Sequence, residues 1–277
     1  MTENLFAATL FSSSGGNCLY IKHKGEEFLI DAGISAKAIQ ASLKTLGSGL
    51  ENIKAIFITH EHSDHIKGLN TITKKFKTPV FAPSPCREAI LKSSPSAEDC
   101  LSEIEKETRV DFAETSFFAF ETPHDSACSF GYTVDFGQKV LGFSTDMGYI
   151  TKTAAKILSK CDAVAIESNH DVKMLKDGAY PQSLKDRILG DYGHLSNQDC
   201  AQFLPFLVTS GVNIIALAHL SRENNTPEKA FEESYNSLIN FGIKPCSSRL
   251  PQNGGLACGD VSLEVCPRAG ICALIDK

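Results

Sequence analysis

The chain has 277 residues, 42% of them hydrophobic and 22% charged, and 27 Lys+Arg against 33 Asp+Glu leave a formal net charge of −6. This is the composition of a globular chain able to bury a sizeable core, and it excludes the disordered and fibrous classes. An acidic chain has no global field for nucleic acid, so any phosphate binding must come from a local basic rim or a bound metal. No apolar run approaches the roughly 18 residues of a spanning helix. Met1-Thr2-Glu3-Asn4-Leu5-Phe6 also lacks a basic region leading into an apolar stretch, so the expectation is a cytoplasmic protein without membrane partners. Ten cysteines fall singly, with no Cys-x-x-Cys pair, and read as reduced, mostly buried small hydrophobes.

Residues 5–11, 18–23 and 28–31 are short apolar runs parted by Ser/Gly and Lys/Gly turns, which reads as a β-meander. Ser35 is the expected N-cap of a helix over 36–46, with Ile39, Leu43 and Leu46 at helical spacing and Gly47 as its stop. Residues 54–59 form a buried strand, followed by a histidine cluster, a helix to about Phe76 and a strand at Val80-Phe81. A helix is expected over 84–92, and the polar segment 93–106 reads as a surface excursion. Strands follow at 116–122, 130–136 and 139–143, the last two joined by a Gly137-Gln138 hairpin turn. The rest alternates: helix 151–159, strand 163–166, helix 196–207 capped by Ser196, strand 213–218, and helix 227–240 capped by Thr226 with Pro227 at its first position. Two β-rich halves, each trailing helices, indicate an αββα four-layer sandwich of the α/β class. With no Gly/Pro/Ser-rich linker, residues 1–277 are expected to form a single domain. Its segment 246–277 holds Cys246, Cys258, Cys266 and Cys272 at a spacing that matches no zinc module and reads as cysteine-rich strands at a sheet edge.

Thr59-His60-Glu61-His62-Ser63-Asp64-His65 carries the most chemistry. Residues two apart at a strand end point to the same side, so His60 and His62 can address one ion, and Asp64 and His65 project from the next turn toward the same space. Imidazole and carboxylate donors suit zinc, manganese or iron, and four of them within six residues are enough to begin two sites. The competing reading is a surface histidine run, disfavoured because an apolar strand delivers the cluster from the core. His124, Asp146 and His219 each end a strand-like run and are the distant candidates, although a lone strand-end histidine is more often a hydrogen-bonded structural residue.

These residues resemble the metallo-β-lactamase fold superfamily over nearly the whole chain. Leu29-Ile30-Asp31-Ala32-Gly33 looks like its first motif, His60, His62, Asp64 and His65 meet its His-x-His-x-Asp-His signature, and His124, Asp146 and His219 fall in order at the later motifs. The resemblance implies two divalent ions, Zn²⁺ or Mn²⁺: one held by His60, His62 and His124, the other by Asp64, His65 and His219, with Asp146 bridging and Asp31 orienting a ligand from behind. A closer resemblance, to the YycJ/WalJ/VicX group, is carried by Ser14 to Cys18, His62 to Leu69, Glu167-Ser168-Asn169-His170-Asp171, Leu189 to Asn197 and His219 to Pro227. The opening differs slightly: Ser12-Ser13-Ser14-Gly15-Gly16-Asn17 exchanges a serine and a glycine relative to the usual Gly-Ser-Ser-Gly-Asn.

That resemblance implies a 5′ to 3′ DNA exonuclease in which two ions activate water, so that no serine or cysteine nucleophile is needed. Asp64 is expected to bind metal and accept a hydrogen bond from that water. His194, in a segment similar to the His-Ser/Thr motif of the tRNase Z branch, is expected to protonate the leaving alkoxide, the plainer alternative being a capping turn. Asn169 and His170 are candidate substrate contacts or a structural loop. Lys185, Arg187 and Arg222, with Lys67, Lys173 and Lys176, are candidates for a rim that binds DNA weakly. Two other classes stay open: a thioester or lactone hydrolase of the glyoxalase II type, although Pro123-His124-Asp125 lacks the Gly-His-Thr-Pro-Gly loop such enzymes often have, and a non-enzymatic regulatory module.

Overall fold

A computed structural model describes residues 5–247 and 259–276. Its first sheet contains β1 (Leu5–Ser13), β2 (Gly16–His23), β3 (Glu26–Ile30), β4 (Ile53–Phe57), β5 (Val80–Pro83) and β6 (Leu101–Ile104). The second contains β7 (Arg109–Asp111), β8 (Ser116–Thr122), β9 (Ser129–Asp135), β10 (Val140–Ser144), β11 (Ala163–Glu167), β12 (Ile214–Ala218), β13 (Pro245–Cys246) and β14 (Val261–Val265). A last strand, β15 (Ala269–Asp276), returns to the first sheet and pairs antiparallel with β1. The orders are β15-β1-β2-β3-β4-β5-β6 and β13-β14-β12-β11-β10-β9-β8-β7.

Helices α1 (Ala36–Thr45), α2 (Ser63–Ile66), α3 (Leu69–Phe76) and α4 (Arg87–Ser93) belong to the first half, and α5 (Lys152–Leu158), α6 (Val172–Asp177), α7 (Gln182–Leu189), α8 (Asn197–Thr209) and α9 (Pro227–Asn240) to the second. The central strands explain the layering. In β4, Ala55 and Phe57 face the core between the sheets, whereas Ile56 packs with Ile39, Leu43, Leu69 and Ile72 of the outer helices. In β11 and β12 the fully buried inward residues of the inner core are alanines (Ala163, Ala165, Ala216, Ala218), joined by the partly buried Ile214, and Val164, Ile166, Ile215 and Leu217 meet α8 and α9. A strand covered on both faces must be apolar at every position, which is why these runs do not alternate. The four-layer αββα sandwich anticipated above follows, with Phe57 stacked between Phe81 and Phe117 at centroid separations of 5.0 and 3.8 Å in the inner core.

Caps sit where the sequence puts them: Ser35, Thr151, Ser196 and Thr226 each accept a backbone N–H from their own first turn. Segment 93–106 departs from its reading as an excursion. After a 3₁₀ turn it runs as β6, the edge strand of the first sheet, whose outward positions are Ser102 and Glu103; a half-exposed edge leaves no apolar pattern to read. The helix following the histidine cluster is split at Gly68, whose amide donates to the Ala32 carbonyl (2.8 Å) outside the helix; a Cβ there would meet the Ile34 carbonyl oxygen at 2.5 Å. Helices α6 and α7, of six and eight residues, are too short to announce themselves by periodicity. The cysteine-rich segment supplies an edge strand to each sheet, β13 and β15, and the described cysteines all carry free thiols; Cys258 lies outside the described residues. Among the described residues no helix is long and apolar enough to cross a membrane.

Candidate metal centre

Strands β3 and β4 are parallel, and β10, β11 and β12 are parallel, with β8 running the same way through the antiparallel β9. Their C-terminal ends therefore emerge along one edge of each sheet, and hydrogen bonds stitch the two edges together. The Phe130 amide donates to the Thr59 carbonyl (3.0 Å), the Tyr132 hydroxyl to the Ile58 carbonyl (2.7 Å) and the His219 amide to the Ser12 hydroxyl (2.8 Å). Residues just past these strand ends thus meet in one place. Asp31, Asp146 and His219 sit at such ends with left-handed φ of 63°, 55° and 55°, backbone that only a surrounding network of bonds holds in non-glycine residues.

The seven proposed ligands lie together. Ligand atoms of His60, His62 and His124 are within 4.8 Å of one another, as are those of Asp64, His65 and His219, and those of His60, His65 and Asp146. Asp146 stands between the groups, its carboxylate oxygens 3.2 Å from His65 Nε2, 3.7 Å from His124 Nε2 and 3.3 Å from His219 Nδ1. Four of the imidazoles share one pattern. Nδ1 is held by oxygen: Thr59 Oγ1 at 3.0 Å for His60, Asp31 Oδ2 at 2.7 Å for His65, the Gly193 carbonyl at 3.1 Å for His124 and Glu167 Oε1 at 2.8 Å for His219. Anchoring Nδ1 leaves Nε2 as the inward lone pair, and the buried Nε2 atoms of His60 and His219 have no hydrogen-bond partner. His62 turns the other nitrogen inward, its Nδ1 lying 3.3 Å from His124 Nε2. Glu61, between the two histidines, points the opposite way and accepts from the Ala127 amide (2.8 Å) and the Cys86 thiol (2.9 Å), tying the loop after His124 to the signature.

The charges are strongly polarised. Burial opposes ionisation of Asp64 and Asp146, but His65 and His219 outweigh it and hold both carboxyls below the usual range. Burial opposes protonation of His219 as well, yet Asp146, Asp64 and Glu167 push it up to about 10. Burial and neighbouring histidines lower His60 and His124, while Asp31, Asp146 and Asp64 raise His65 against its burial. Of these four imidazoles, His60 and His124 are shifted toward the neutral form and His65 and His219 toward the cation, an arrangement that a metal ion entering the cluster would reorganise.

A cleft of about 250 Å³ opens onto this cluster, lined among others by Asp64, Asp146, Asn169, Arg187, His194 and His219. His194 Nδ1 lies 2.8 Å from Glu167 Oε1, leaving Nε2 for the cleft; burial disfavours the imidazolium, but the charges of Glu167 and Asp146 raise its pKa. Asn169 donates to the His219 carbonyl at 2.9 Å, and Arg187 lines the cleft while paired with Asp125 (Nη2 to Oδ1, 2.9 Å). Arg222 does not line the cleft itself but follows the lining residue Ser221, its guanidinium so close over Gly15 that a Cβ there would meet it at 2.2 Å. His170 and Lys185 are not brought to the cleft. His170 is buried, and burial lowers it to about 4; Lys185 donates to the Lys176 carbonyl at 2.6 Å.

Several site residues carried no signal of their own. Glu167 ends an apolar strand and was legible only as part of a motif, yet its fully buried carboxylate accepts from His194, His219 and the Met147 (2.8 Å) and Leu195 (3.1 Å) amides. Asn17 lies 3.1 Å from His65 Nε2, and Thr59 bonds Asp31 through both its amide and its hydroxyl. Gly33 is required sterically: a Cβ would lie 1.6 Å from the Asp64 carbonyl oxygen.

Residues 26–210 match the family described as the beta-lactamase superfamily domain. The exodeoxyribonuclease YycJ of Bacillus anthracis is 35% identical over 229 residues, covering 82% of this chain and 86% of that protein. The exodeoxyribonuclease WalJ of Streptococcus pneumoniae is 35% identical over 234 residues, covering 83% and 86%. Among solved structures, the metallo-beta-lactamase fold protein YhfI of Bacillus subtilis superposes with a TM-score of 0.68 at 10% identity, covering 98% of this chain and all of that one. The short form of human tRNase Z superposes at 0.64 with 15% identity, covering 98% and 99%; likeness at such identity speaks for the fold. With the donor cluster in place, the chain belongs to the beta-lactamase superfamily and is a metal-dependent hydrolase related to YycJ and WalJ.

Proposed function

We propose that the chain is a binuclear phosphodiesterase that degrades DNA as a 5′ to 3′ exonuclease. The observation that carries this reading is the common orientation of His60, His65, His124 and His219, each anchored through Nδ1 with Nε2 left for an ion among Asp64 and Asp146, beside a histidine in the same cleft that is anchored as an acid. The donor set fits divalent ions: imidazole and carboxylate in groups of three and four, with unpartnered buried Nε2 atoms among them. His60, His62 and His124 would hold one ion, Asp64, His65 and His219 the other, and Asp146 both. Zn²⁺ or Mn²⁺ there supplies the lowered pKa of water and the charge neutralisation at a phosphoryl oxygen on which such hydrolysis depends.

The remaining tasks fall to the chain. Asp64, about a quarter exposed at the cleft and kept ionised, accepts a hydrogen bond from the attacking water. His194, its imidazolium favoured by Glu167, gives a proton from Nε2 to the leaving alkoxide. Arg187 and Asn169 orient the phosphate from the cleft wall, and Arg222, beside Gly15, is a further candidate phosphate contact. Asp31 and Glu167 hold His65 and His219 in the tautomer with Nε2 inward. The relatives named as exodeoxyribonucleases support DNA as substrate. Incubation of Mn²⁺- or Zn²⁺-loaded protein with 5′- and 3′-labelled DNA, RNA and a thioester tests the reading. Mononucleotides released progressively from the 5′ end are expected; intact DNA at full metal occupancy, or thioester turnover alone, refutes it.

A further inference from the structure

A second cleft, about 640 Å³, begins at His124. Its walls near the centre carry Tyr149 and Tyr192, whose side chains are 47% and 62% exposed. Both tyrosines sit on loops tied to the residues flanking His124. The Gly148 amide donates to the Pro123 carbonyl (2.9 Å), the Asp125 amide to the Tyr192 carbonyl (2.9 Å), and His124 itself bonds Gly193. The two loops also touch each other, since a Cβ on Gly148 would meet the Asp191 carbonyl oxygen at 2.1 Å. The backbone that carries both rings is therefore tied to the residues flanking His124, while the rings themselves stay exposed.

Beyond the tyrosines the cleft continues, through the shared residues Glu107 and Thr153, into a groove of about 440 Å³ whose rim is Lys152, Lys156 and Lys160 on and just after α5, with Phe118 and Ile157 beneath. Lys152 and Lys156 lie about one turn apart on α5, and Lys160, two residues past its end, lines the same groove, so the three follow one another along it. All three are exposed, and none has an ion-pair partner among the described residues. In a chain of net charge −6, a row of unpaired cations leading to a pair of exposed aromatic rings beside the metal ligands is a local exception to the overall field. Paired rings and a basic row are the elements that hold single-stranded nucleic acid, with bases stacked and phosphates in the groove. Glu107 is the acidic group at the junction, and Glu121 is already neutralised by Lys106 at 3.2 Å.

We infer that this groove is a binding track for single-stranded DNA, in which Tyr149 and Tyr192 stack the bases next to the scissile phosphate and Lys152, Lys156 and Lys160 hold the phosphates beyond them. The inference rests on the phosphodiesterase reading and adds where the strand lies.

The test uses the metal-loaded protein and a 20-nucleotide single-stranded DNA with non-cleavable linkages, binding being read by fluorescence anisotropy from 50 to 200 mM salt. The variant Lys152→Gln/Lys156→Gln/Lys160→Gln should lower the salt slope by about 2, which makes its loss of affinity over that range about 20-fold smaller than that of the unaltered protein. Tyr149→Ala/Tyr192→Ala should weaken binding by about 5- to 150-fold per base unstacked, and Tyr149→Phe/Tyr192→Phe should restore it. Glu107→Gln should tighten it. Hydrolysis of bis(p-nitrophenyl) phosphate should be unchanged in the lysine and Glu107 variants, which touch neither the ligands nor the rings beside them, and bound metal per chain reports folding of the tyrosine variants. Unchanged affinity and slope in the lysine variant, or a duplex of equal length binding as well as the single strand, overturns the track. A protein that binds the oligonucleotide through these residues yet never degrades natural DNA leaves the track standing and refutes the exonuclease reading instead.

Discussion

Replacing Glu167 by glutamine leaves the shape of the site nearly intact and removes one charge, so its consequences follow from the bonds that carboxylate makes. Oε1 accepts from His194 Nδ1 and His219 Nδ1, both at 2.8 Å, and Oε2 from the Met147 and Leu195 amides at 2.8 and 3.1 Å. A glutamine has one oxygen and one NH₂. Whichever way it is turned, two donors face its nitrogen, and two of the four bonds are lost inside a fully buried pocket. At about 1–3 kcal/mol for each buried donor left unmatched, the fold should lose about 2–6 kcal/mol, a large share of a domain's typical 5–15 kcal/mol. If the amide faces the histidines, His219 also loses the acceptor that fixes its tautomer, and metal affinity should fall by roughly 10- to 100-fold. Thermal unfolding with and without chelator, together with metal titration of the folded variant, separates the two effects. A variant that is destabilised but binds Mn²⁺ with unchanged affinity would show that Glu167 supports the fold without orienting His219, and the proposed role would be wrong.

Three further outcomes are expected. His194→Ala should slow hydrolysis of a phosphodiester with an alkoxide leaving group by roughly 10²- to 10⁴-fold, and much less with a nitrophenolate that needs no proton; equal losses would make His194 a positioning residue. His219 is raised to about 10 in the metal-free protein, so at pH 7 it carries a proton that must leave before Nε2 can bind an ion. Metal affinity should therefore rise with pH between 6 and 9, and calorimetry in buffers of different ionisation enthalpy should detect the released proton; a flat profile contradicts this. The same bonds act in the opposite direction on the metal-free fold: a raised histidine stabilises fully below its unfolded pKa near 6.5 and ceases to do so as pH rises through about 10. Gly33→Ala should abolish metal binding, since its Cβ would fall 1.6 Å from the Asp64 carbonyl oxygen and neither backbone can yield without displacing the signature loop; normal metal content in that variant would refute the packing argument.

Much of this protein is determined by features that lie close together along the chain. The strand expected over 54–59 and the caps Ser35, Ser196 and Thr226 are local patterns; the structure places the caps there and the strand at Ile53–Phe57. The cluster His60, His62, Asp64 and His65 is close along the chain too, although the strand ends at Phe57 and the first two histidines sit on the loop leading into α2, oriented by Thr59 and by His124 rather than by strand alternation. The four-layer class is legible from runs that stay apolar through both faces, as at Ala55-Ile56-Phe57, which only a sheet covered on both sides can accommodate.

Tertiary structure alone decided the rest. That His124, Asp146 and His219 reach the cluster depends on β8, β10 and β12 running the same way and on the stitching of their sheet to Thr59 and Ser12, a matter of strand order that no spacing along the chain encodes. Glu167 ends an apolar strand by sequence; it becomes the shared acceptor of two histidines because β11 lies between β10 and β12. Lys185 and Arg187 read alike, but the turn of α7 commits Lys185 to a backbone carbonyl and leaves Arg187 in the cleft. Helical and strand periodicities report which face of an element is buried. Which elements become neighbours is set by the packing of layers whose contacts are hundreds of residues apart, as between Ser12 and His219, and that is where this site is made.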